Sequence, residues 1–177
     1  MIGTAAAHAA DASVFGLTFG QPLQMPECER SVGGDYAVMT RQTCFQNRSG
    51  GKHTSIQFPL SQRPRIMAGD TIKCILIAGK LEGIEFKTLG APDSDRVLTE
   101  LVNKYGKPSA LDRTVVKNRM GAQFDNVDAS WNLPNLRVSF LGVIDKIDSG
   151  IVTVQTSKGA TKFDLEMDAF MRDPRPL

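Results

Sequence analysis

The sequence has no apolar run long enough to cross a membrane. Its run CILIAG covers residues 74–79, which is the length of a strand, whereas a membrane-spanning helix needs roughly 18 apolar residues. We therefore expect no transmembrane segment. Hydrophobic residues make up 41% and charged residues 23% of the 177 positions, an ordinary composition for one globular domain or two small halves that share a core.

The sequence also has little net charge. Its 21 basic and 19 acidic residues leave a formal charge of +2, and the basic residues are scattered along the chain. Proteins that bind nucleic acid usually carry a basic patch or stripe. We therefore expect no nucleic-acid partner.

Patterns that carry catalysis are scarce. The sequence contains no Gly-x-Ser-x-Gly and no Gly-x-Gly-x-x-Gly, and the run Gly50-Gly51-Lys52 departs from the spacing of a phosphate-binding loop. One of the two histidines, His53, lies in a polar loop with no neighbour that would orient it as a base. We predict that the protein is not an enzyme, has no catalytic residue and needs no cofactor. A small hydrolase that uses His53 is the third hypothesis.

Patterns that bind metal ions are equally scarce. No Cys-x-x-Cys pair occurs and histidine is rare, so a zinc site is not expected. Asp125, Asp128, Asp145 and Asp148 could supply oxygen ligands, but their spacing matches no calcium-binding loop. We predict solvated carboxylates in turns and no metal site.

Three cysteines are present, Cys28, Cys44 and Cys74. A bridge between Cys28 and Cys44 would close a loop of about 16 residues and contribute about 3 kcal/mol through loop-closure entropy. Cys74 shares a predicted strand face with Ile72 and Leu76, which indicates a small buried hydrophobe. We predict the Cys28–Cys44 bridge. A Cys44–Cys74 pairing and three reduced thiols in a cytoplasmic protein are the alternatives.

The N-terminal residues 1–13, MIGTAAAHAADAS, are small and have no helical stripe. Ala7-His8-Ala9 matches the pattern that signal peptidase recognises. Residues 1–10 are therefore interpreted as the remnant of a leader, and the protein as periplasmic or secreted. The alternative is a small disordered tail.

The clearest predicted element is a helix over residues 94–105. Its apolar residues recur on one helical face, Asp93 or Ser94 is suited to cap its start, and Gly106 and Pro108 end it. The residues of this apolar face are Val97, Leu98, Leu101, Val102 and Tyr105.

The remaining elements are predicted to be strands. A hairpin over 71–88 is the strongest strand prediction. The other predicted strands cover residues 13–19, 36–46, 54–60, 128–133, 136–144, 150–156 and 160–167. The last of them has a helix reaching Phe170 and Met171 as its alternative. The predicted fold class is α+β, with a helix packed on an antiparallel sheet.

Two turn sequences indicate an internal repeat. Gly20-Gln21-Pro22 and Gly106-Lys107-Pro108 lie 86 positions apart, and each precedes a run of strands that contains IQF at 56–58 or VSF at 138–140. One small sheet cannot cover its own apolar face, and a second copy would extend or cover it. We therefore predict two pseudo-repeated halves, a β-rich half over 11–90 and an α+β half over 91–177.

The segments VLTELVNKYGKPSA, ASWNL and LRVSFLGVIDKI carry a partial resemblance that covers under a third of the chain. They resemble the small envelope lipoprotein modules of the SmpA/OmlA type, and tandem copies of a similar unit form the β-lactamase-inhibitor-protein fold. FGLTFGQPLQMPEC together with residues 106–131 looks like uncharacterised exported proteins of Gram-negative bacteria. The resemblance implies an α+β fold and a binding role in the envelope, and it carries over no catalytic residue. The chain departs from a lipoprotein in having no cysteine before Cys28.

Five residues are candidates for contact with a partner. Trp131 is a core residue by default, with a binding hot spot as the alternative. Arg63 and Arg65 flank Pro64 in a mixed loop, and Arg119 and Met120 lie in a second loop, KNRMGAQF. Ordinary loop sequence is the alternative for both.

The sequence thus favours a non-enzymatic periplasmic binding or adaptor protein that contacts another envelope protein. An inhibitor or immunity protein that blocks an enzyme is the second hypothesis. The sequence leaves the oligomeric state open.

Overall fold

The computed structural model describes residues 13–30, 40–48 and 53–172. The predicted leader over 1–10 and most of the strand predicted over 36–46 lie outside these residues. Of the described part of that strand, only the residues from Cys44 onward form a strand; Arg41 and Gln42 form a bend.

One large antiparallel sheet organises the described residues. Its eight strands are β3 (Cys44–Arg48), β4 (His53–Gln57), β5 (Thr71–Ile77), β6 (Lys80–Thr88), β7 (Ala110–Lys117), β8 (Gln123–Asn132), β9 (Leu136–Leu141) and β10 (Gly150–Thr156). A separate small hairpin consists of β1 (Ser13–Val14) and β2 (Leu17–Thr18), and the α-helices are α1 (Ser94–Tyr105) and α2 (Ser157–Arg172). The predicted α+β class is confirmed.

The order of the strands in the sheet is β3-β4-β5-β6-β10-β9-β8-β7. Each half of the chain contributes a meander of four strands, because consecutive strands pair with their neighbours. The two meanders join where β6 pairs with β10 over six residue pairs. The halves predicted over 11–90 and 91–177 therefore share one sheet.

The strand order bears on the predicted repeat. Ile56 of the IQF run lies in β4, the second strand of the first meander, whereas Val138 of the VSF run lies in β9, the third strand of the second. The IQF and VSF runs therefore do not occupy equivalent strands of the two meanders. The runs GIEF from Gly83 and GIVTV from Gly150 do, because they lie in β6 and β10, the fourth strand of each meander. The repeat stays a prediction.

The core lies on one face of the sheet. Helix α2 contacts β5, β6, β9 and β10 at one end of the opposite face, where its Asp164 forms an ion pair with Arg137. The buried apolar side chains of alternate strand positions form the core, which α1, the β1–β2 hairpin and the β4–β5 connection close. Phe15 of the hairpin stacks edge to face on Phe86 with ring centroids 5.4 Å apart. The sheet residues of this core with the lowest exposure are Ile56, Ile72, Leu81, Ile84, Val127, Trp131, Val138, Phe140, Val152 and Val154.

Helix α1 begins and ends as predicted, but its caps differ from the prediction. Neither Asp93 nor Ser94 caps the first turn with its side chain; Asp93 instead accepts two hydrogen bonds of 2.7 Å from Arg96, and the Ser94 hydroxyl donates to the carbonyl of Ala91. At the other end Gly106 has a positive φ of 79° with ψ at −161°, and its N–H donates to Val102. That combination is essentially confined to glycine.

Gly106→Ala is expected to lower the free energy of unfolding by about 2 kcal/mol, because a Cβ strains this backbone conformation. An added Cβ meets nothing within 4 Å, so the loss would come from strain alone. Gly69→Ala is the matched control, because Gly69 is equally open but has no positive φ. Denaturant unfolding of both variants checks this, and equal stability would contradict it.

Several predicted strands differ from the structure. The strand predicted over 54–60 ends at Gln57, and the strand predicted over 128–133 begins at Gln123. The strand over 13–19 is broken by a turn, because Phe15 and Gly16 have φ values of 53° and 77°. The strand over 136–144 ends at Leu141. The strand predicted over 160–167 is wrong, because Ser157–Arg172 form α2.

Two features near the start of α2 explain why Ser157–Arg172 form a helix. The Thr156 hydroxyl accepts a hydrogen bond from the N–H of Gly159, which caps the first turn. Strand β10 is paired with β6 on one edge and with β9 on the other. The residues that follow Thr156 therefore cannot form a strand that pairs with β10. Gly159 and Ala160 are both buried and Thr161 and Lys162 are both exposed, which departs from the predicted alternation.

Sequence analysis missed the hairpin of β7 and β8. The loop predicted over 117–124 is its tight turn, in which the Asn118 side chain accepts the N–H groups of Met120 and Ala122, and Gly121 has a φ of 84°. Strand β7 is exposed along nearly its whole length, so it lacks the apolar alternation that identifies a strand.

Candidate functional site

The disulfide between Cys28 and Cys44 covers one edge of the sheet. The pair is bonded, which confirms the prediction. The N–H of Cys28 donates to the carbonyl of Phe45 at 2.8 Å, and the N–H of Phe45 donates to the carbonyl of Pro26 at 3.0 Å. Residues 26–28 therefore lie along the outer edge of β3 and are fixed there covalently.

Cys74 is the free cysteine, so the alternative Cys44–Cys74 pairing is wrong. Burial raises the pKa of its thiol to about 12, although a hydrogen bond with the backbone of Ile56 opposes the shift. The thiol is protonated at neutral pH, and a protonated thiol is a poor nucleophile. Cys74 is a core residue, as predicted.

The second face of the large sheet is polar. Its central row runs straight across six neighbouring strands, because residues directly opposite in the printed register share a face. The row consists of Ser55, Lys73, Glu85, Thr153, Ser139 and Ser130. All six side chains are half-buried or exposed. We call this surface the open face.

The chemistry of the open face is that of a flat, mixed surface. Lys73 and Glu85 form an ion pair of 3.7 Å whose side chains are 60% and 29% exposed, so the pair contributes little to stability. The other four members of the row carry short hydroxyl side chains. Each hydroxyl can donate and accept a hydrogen bond.

Residues on either side of the row extend this mixed character. Leu141 and Ile151 lie opposite each other on one side, with Leu141 exposed. Arg137 and Asn132 lie opposite each other on the other side, and both are exposed. Here the polar row is central and the apolar pair lies beside it, whereas a typical protein–protein interface has an apolar centre and a polar rim.

A shallow cleft of about 440 Å³ lies at the rim of the open face. Lys73, Glu85 and Lys87 line its sheet side, and Gly69 and Asp70 line its loop side. The cleft presents the ammonium groups of Lys73 and Lys87 and the carboxylates of Asp70 and Glu85, which can bind a polar group of a ligand.

Trp131 belongs to the core. Its side chain is 0% exposed, its indole N–H donates to the carbonyl of Gly106 at 2.8 Å, and its ring lies 6.3 Å from that of Tyr105. The default interpretation of the sequence therefore describes Trp131 correctly, and the partner-binding interpretation does not, because no part of the ring reaches the surface.

The four other candidate residues are exposed but are not grouped. Arg63 and Arg65 lie in the β4–β5 connection beside α1, where the carbonyl of Arg65 accepts a hydrogen bond from Arg96. Arg119 and the 90%-exposed Met120 lie in the β7–β8 turn. In the sheet, strands β6, β10 and β9 lie between β5 and β8. The residues of the β4–β5 connection and those of the β7–β8 turn therefore do not form one site.

The residues considered for catalysis and metal binding, His53 and the aspartates, do not form one site either. His53 begins β4, and its side chain lies outside the described part of the structure. Asp125 and Asp128 stand at odd and even positions of β8 and so point to opposite faces. Among the described residues no three His, Cys, Asp or Glu side chains are grouped to hold a metal ion.

The open face is the surface that sequence analysis missed. Its signal was present, because Lys73, Glu85, Ser139 and Thr153 each alternate with buried apolar residues of their strand. Alternation identifies the outward face of each strand. It does not identify which strands are neighbours, and the row exists only through the pairing of β6 with β10.

Comparisons of the chain with protein-family models, with curated proteins and with solved structures found no match in any of the three. The resemblance to SmpA/OmlA-type modules and to the tandem inhibitor fold stays a prediction. Within the described ranges, none of the helices has the length and apolar character needed to span a membrane.

Proposed function

We propose that the protein is a non-enzymatic binding or adaptor protein that acts in the periplasm or after secretion. Its open face binds another protein of the cell envelope. The observation that carries the proposal is the central row, which presents half-buried or exposed polar side chains of six paired strands on the face opposite the core, beside the end of that face that α2 contacts.

The disulfide supports action outside the cytoplasm. Disulfides persist in oxidising compartments such as the periplasm and are rare in the cytosol, where thiols are kept reduced. The Cys28–Cys44 bond holds an edge segment of the sheet in place, which is a structural role rather than that of a reactive thiol pair. The predicted leader over 1–10 agrees with export.

The shape and chemistry of the open face favour a folded protein as the partner. The short side chains of Ser139, Thr153 and Ser130 leave the middle of the sheet flat, so a broad partner surface can approach the strands closely. The Lys73–Glu85 pair supplies both signs of charge beside them. Such charges favour a specific orientation of the partner over wrong ones.

Thr153→Arg is expected to weaken partner binding at least tenfold, which corresponds to about 1.4 kcal/mol. Thr153 lies at the middle of the row, between Glu85 and Ser139, where a long charged side chain would hold the two surfaces apart. Thr99→Arg is the matched control, because Thr99 is exposed on α1, which packs on the face that carries the core.

The measurement is quantitative capture from the protein's own envelope. Wild-type protein and both variants are crosslinked, and the captured partner is identified and titrated by mass spectrometry. Equal capture by wild-type protein and Thr153→Arg would refute binding through the open face. Loss of capture by Thr99→Arg alone would place the contact on the opposite side.

An inhibitor or immunity protein is the second candidate. The observation that favours it is that the chain contains two four-stranded meanders, each followed by a helix; the tandem inhibitor fold enters only through the resemblance of the sequence. This hypothesis requires the captured partner to be an enzyme whose activity the wild-type protein lowers and the Thr153→Arg variant does not. An enzyme whose activity is unchanged favours the adaptor. The hydrolase hypothesis instead requires an activity that His53→Ala abolishes.

A further inference from the structure

The two edges of the large sheet differ. The β3 edge is covered by residues 26–28, which bond to both backbone groups of Phe45 and are held by the Cys28–Cys44 disulfide. At the other end, β7 pairs with β8 on its inner side, and no described residue pairs with its outer side. An uncovered edge presents unpaired N–H and C=O groups that can template another strand.

The β7 edge is long and regular. All eight of its residues pair with β8 without a shift in register, and the strand contains no proline. The N–H of Asn118 donates to the carbonyl of Ala122, which marks this as a hydrogen-bonded pair. Inward and outward backbone groups alternate along an antiparallel strand. The residues with outward N–H and C=O groups are therefore Leu111, Arg113, Val115 and Lys117.

Apolar side chains accompany this edge. Leu111 is 49% and Val115 is 57% exposed, on the same side of the strand, and Met120 follows in the turn with 90% exposure. Edge strands that must stay unpaired usually carry prolines, bulges or charges. β7 carries three charged residues, Asp112, Arg113 and Lys117; of these, Arg113 is directed to Asp95 of α1, with which it forms a hydrogen bond of 3.0 Å.

We propose that β7 pairs with β7 of a second copy of this chain. The two strands run antiparallel about a two-fold axis at Thr114, so that two eight-stranded sheets become one continuous sheet. This surface is distinct from the open face, and the inference goes beyond the proposed function.

The charges of β7 select this register. An axis at Asp112 or Arg113 would place a charged residue opposite its own copy, and an axis at Val115 would place Arg113 opposite Lys117. Like charges directly opposite each other are destabilising. An axis at Val116 would leave only three residues of overlap, Val115 to Lys117, because β7 ends at Lys117.

The axis at Thr114 avoids these conflicts. Thr114 lies opposite Thr114 of the second copy, and a threonine pair can exchange a hydrogen bond across strands. Arg113 lies opposite Val115, and Asp112 lies opposite Val116. Leu111 of one copy comes within diagonal reach of Val115 of the other, which would shield the exposed apolar side chains.

The first test is the oligomeric state of the wild-type protein and of Val115→Pro, measured by sedimentation over a range of concentrations. The N–H of Val115 points outward, so proline there removes no hydrogen bond to β8 but blocks pairing with a second strand. We expect a wild-type dimer whose dissociation constant rises at least tenfold in Val115→Pro. A wild-type monomer, or a dimer that Val115→Pro leaves intact, would overturn the proposal.

The second test does not depend on the folding of Val115→Pro. Thr114→Cys places two thiols at a pair that is not hydrogen-bonded across the new junction, where Cα atoms lie about 4.5 Å apart, within disulfide range. Asp112→Cys is the matched control, because its two copies would lie about 14 Å apart at 3.4 Å per residue. The native Cys28–Cys44 pair is already bonded and Cys74 is buried, so the new thiol reacts selectively.

Under mild oxidation we expect Thr114→Cys to form a covalent dimer on a non-reducing gel and Asp112→Cys to stay monomeric. Equal crosslinking of the two variants, or none, would contradict the pairing at Thr114. A different protein bound at this edge, with the chain alone monomeric, would also overturn the second copy as its occupant.

Discussion

Trp131→Ala is expected to lower the free energy of unfolding by about 3–5 kcal/mol, the cost of truncating a fully buried large aromatic residue. The ring has no exposed surface, and its loss would leave a cavity beside Tyr105 and an unpaired carbonyl at Gly106. The second contribution is the smaller one, because Gly106 is exposed and water can replace the lost indole donor. Denaturant unfolding followed by circular dichroism measures the change without relying on the lost tryptophan fluorescence.

Two further variants separate the parts of this effect. Trp131→Phe keeps a ring in the core but removes the N–H donor, so it is expected to cost less than Trp131→Ala. Met120→Ala truncates a side chain that is 90% exposed and is expected to change stability by no more than about 0.5 kcal/mol. A Trp131→Ala variant as stable as Met120→Ala would contradict the core position and restore the surface interpretation of Trp131.

Breaking the Cys28–Cys44 bond is expected to cost about 3 kcal/mol by loop-closure entropy. For a chain of this size that corresponds to a fall of about 6–12 °C in the melting temperature. The double variant Cys28→Ala/Cys44→Ala and wild-type protein in reductant should both show the loss. The segment over 26–28 would also become free to leave the edge of β3, because two hydrogen bonds alone would hold it there.

The control for this prediction is reductant added to the double variant. It should have no further effect, because Cys74 is not bonded. Equal stability of oxidised and reduced wild-type protein would contradict the structural role of the bond. It would also remove the main support for a location outside the cytoplasm.

Local patterns in the sequence were sufficient for α1 and for the disulfide. The helix was predicted with its observed bounds because its apolar face and its terminal glycine act within a dozen residues. The disulfide followed from the polar surroundings of Cys28 and Cys44 and the apolar strand pattern around Cys74. The hairpin of β5 and β6 was predicted for the same local reasons.

Patterns that depend on distant neighbours were misread. Residues 160–167 alternate as a strand would, yet β10 is paired on both edges and the chain continues as a capped helix. Strand β7 was missed because an edge strand exposed on both faces has no apolar alternation. The open face needed the β6–β10 pairing, which joins residues 62–72 positions apart in sequence and which no local pattern specifies.

The central claim is that the open face is the binding surface, and site-specific photocrosslinking tests it most directly. A photoreactive residue replaces Ser139, which lies beside Thr153 in the row, or Thr99, on the outer surface of α1, and each protein is irradiated in its own envelope. The account predicts one discrete, saturable product from position 139 that Thr153→Arg abolishes, and none from position 99. A product from position 99 alone, or from neither position while the wild-type protein still captures its partner, would contradict it.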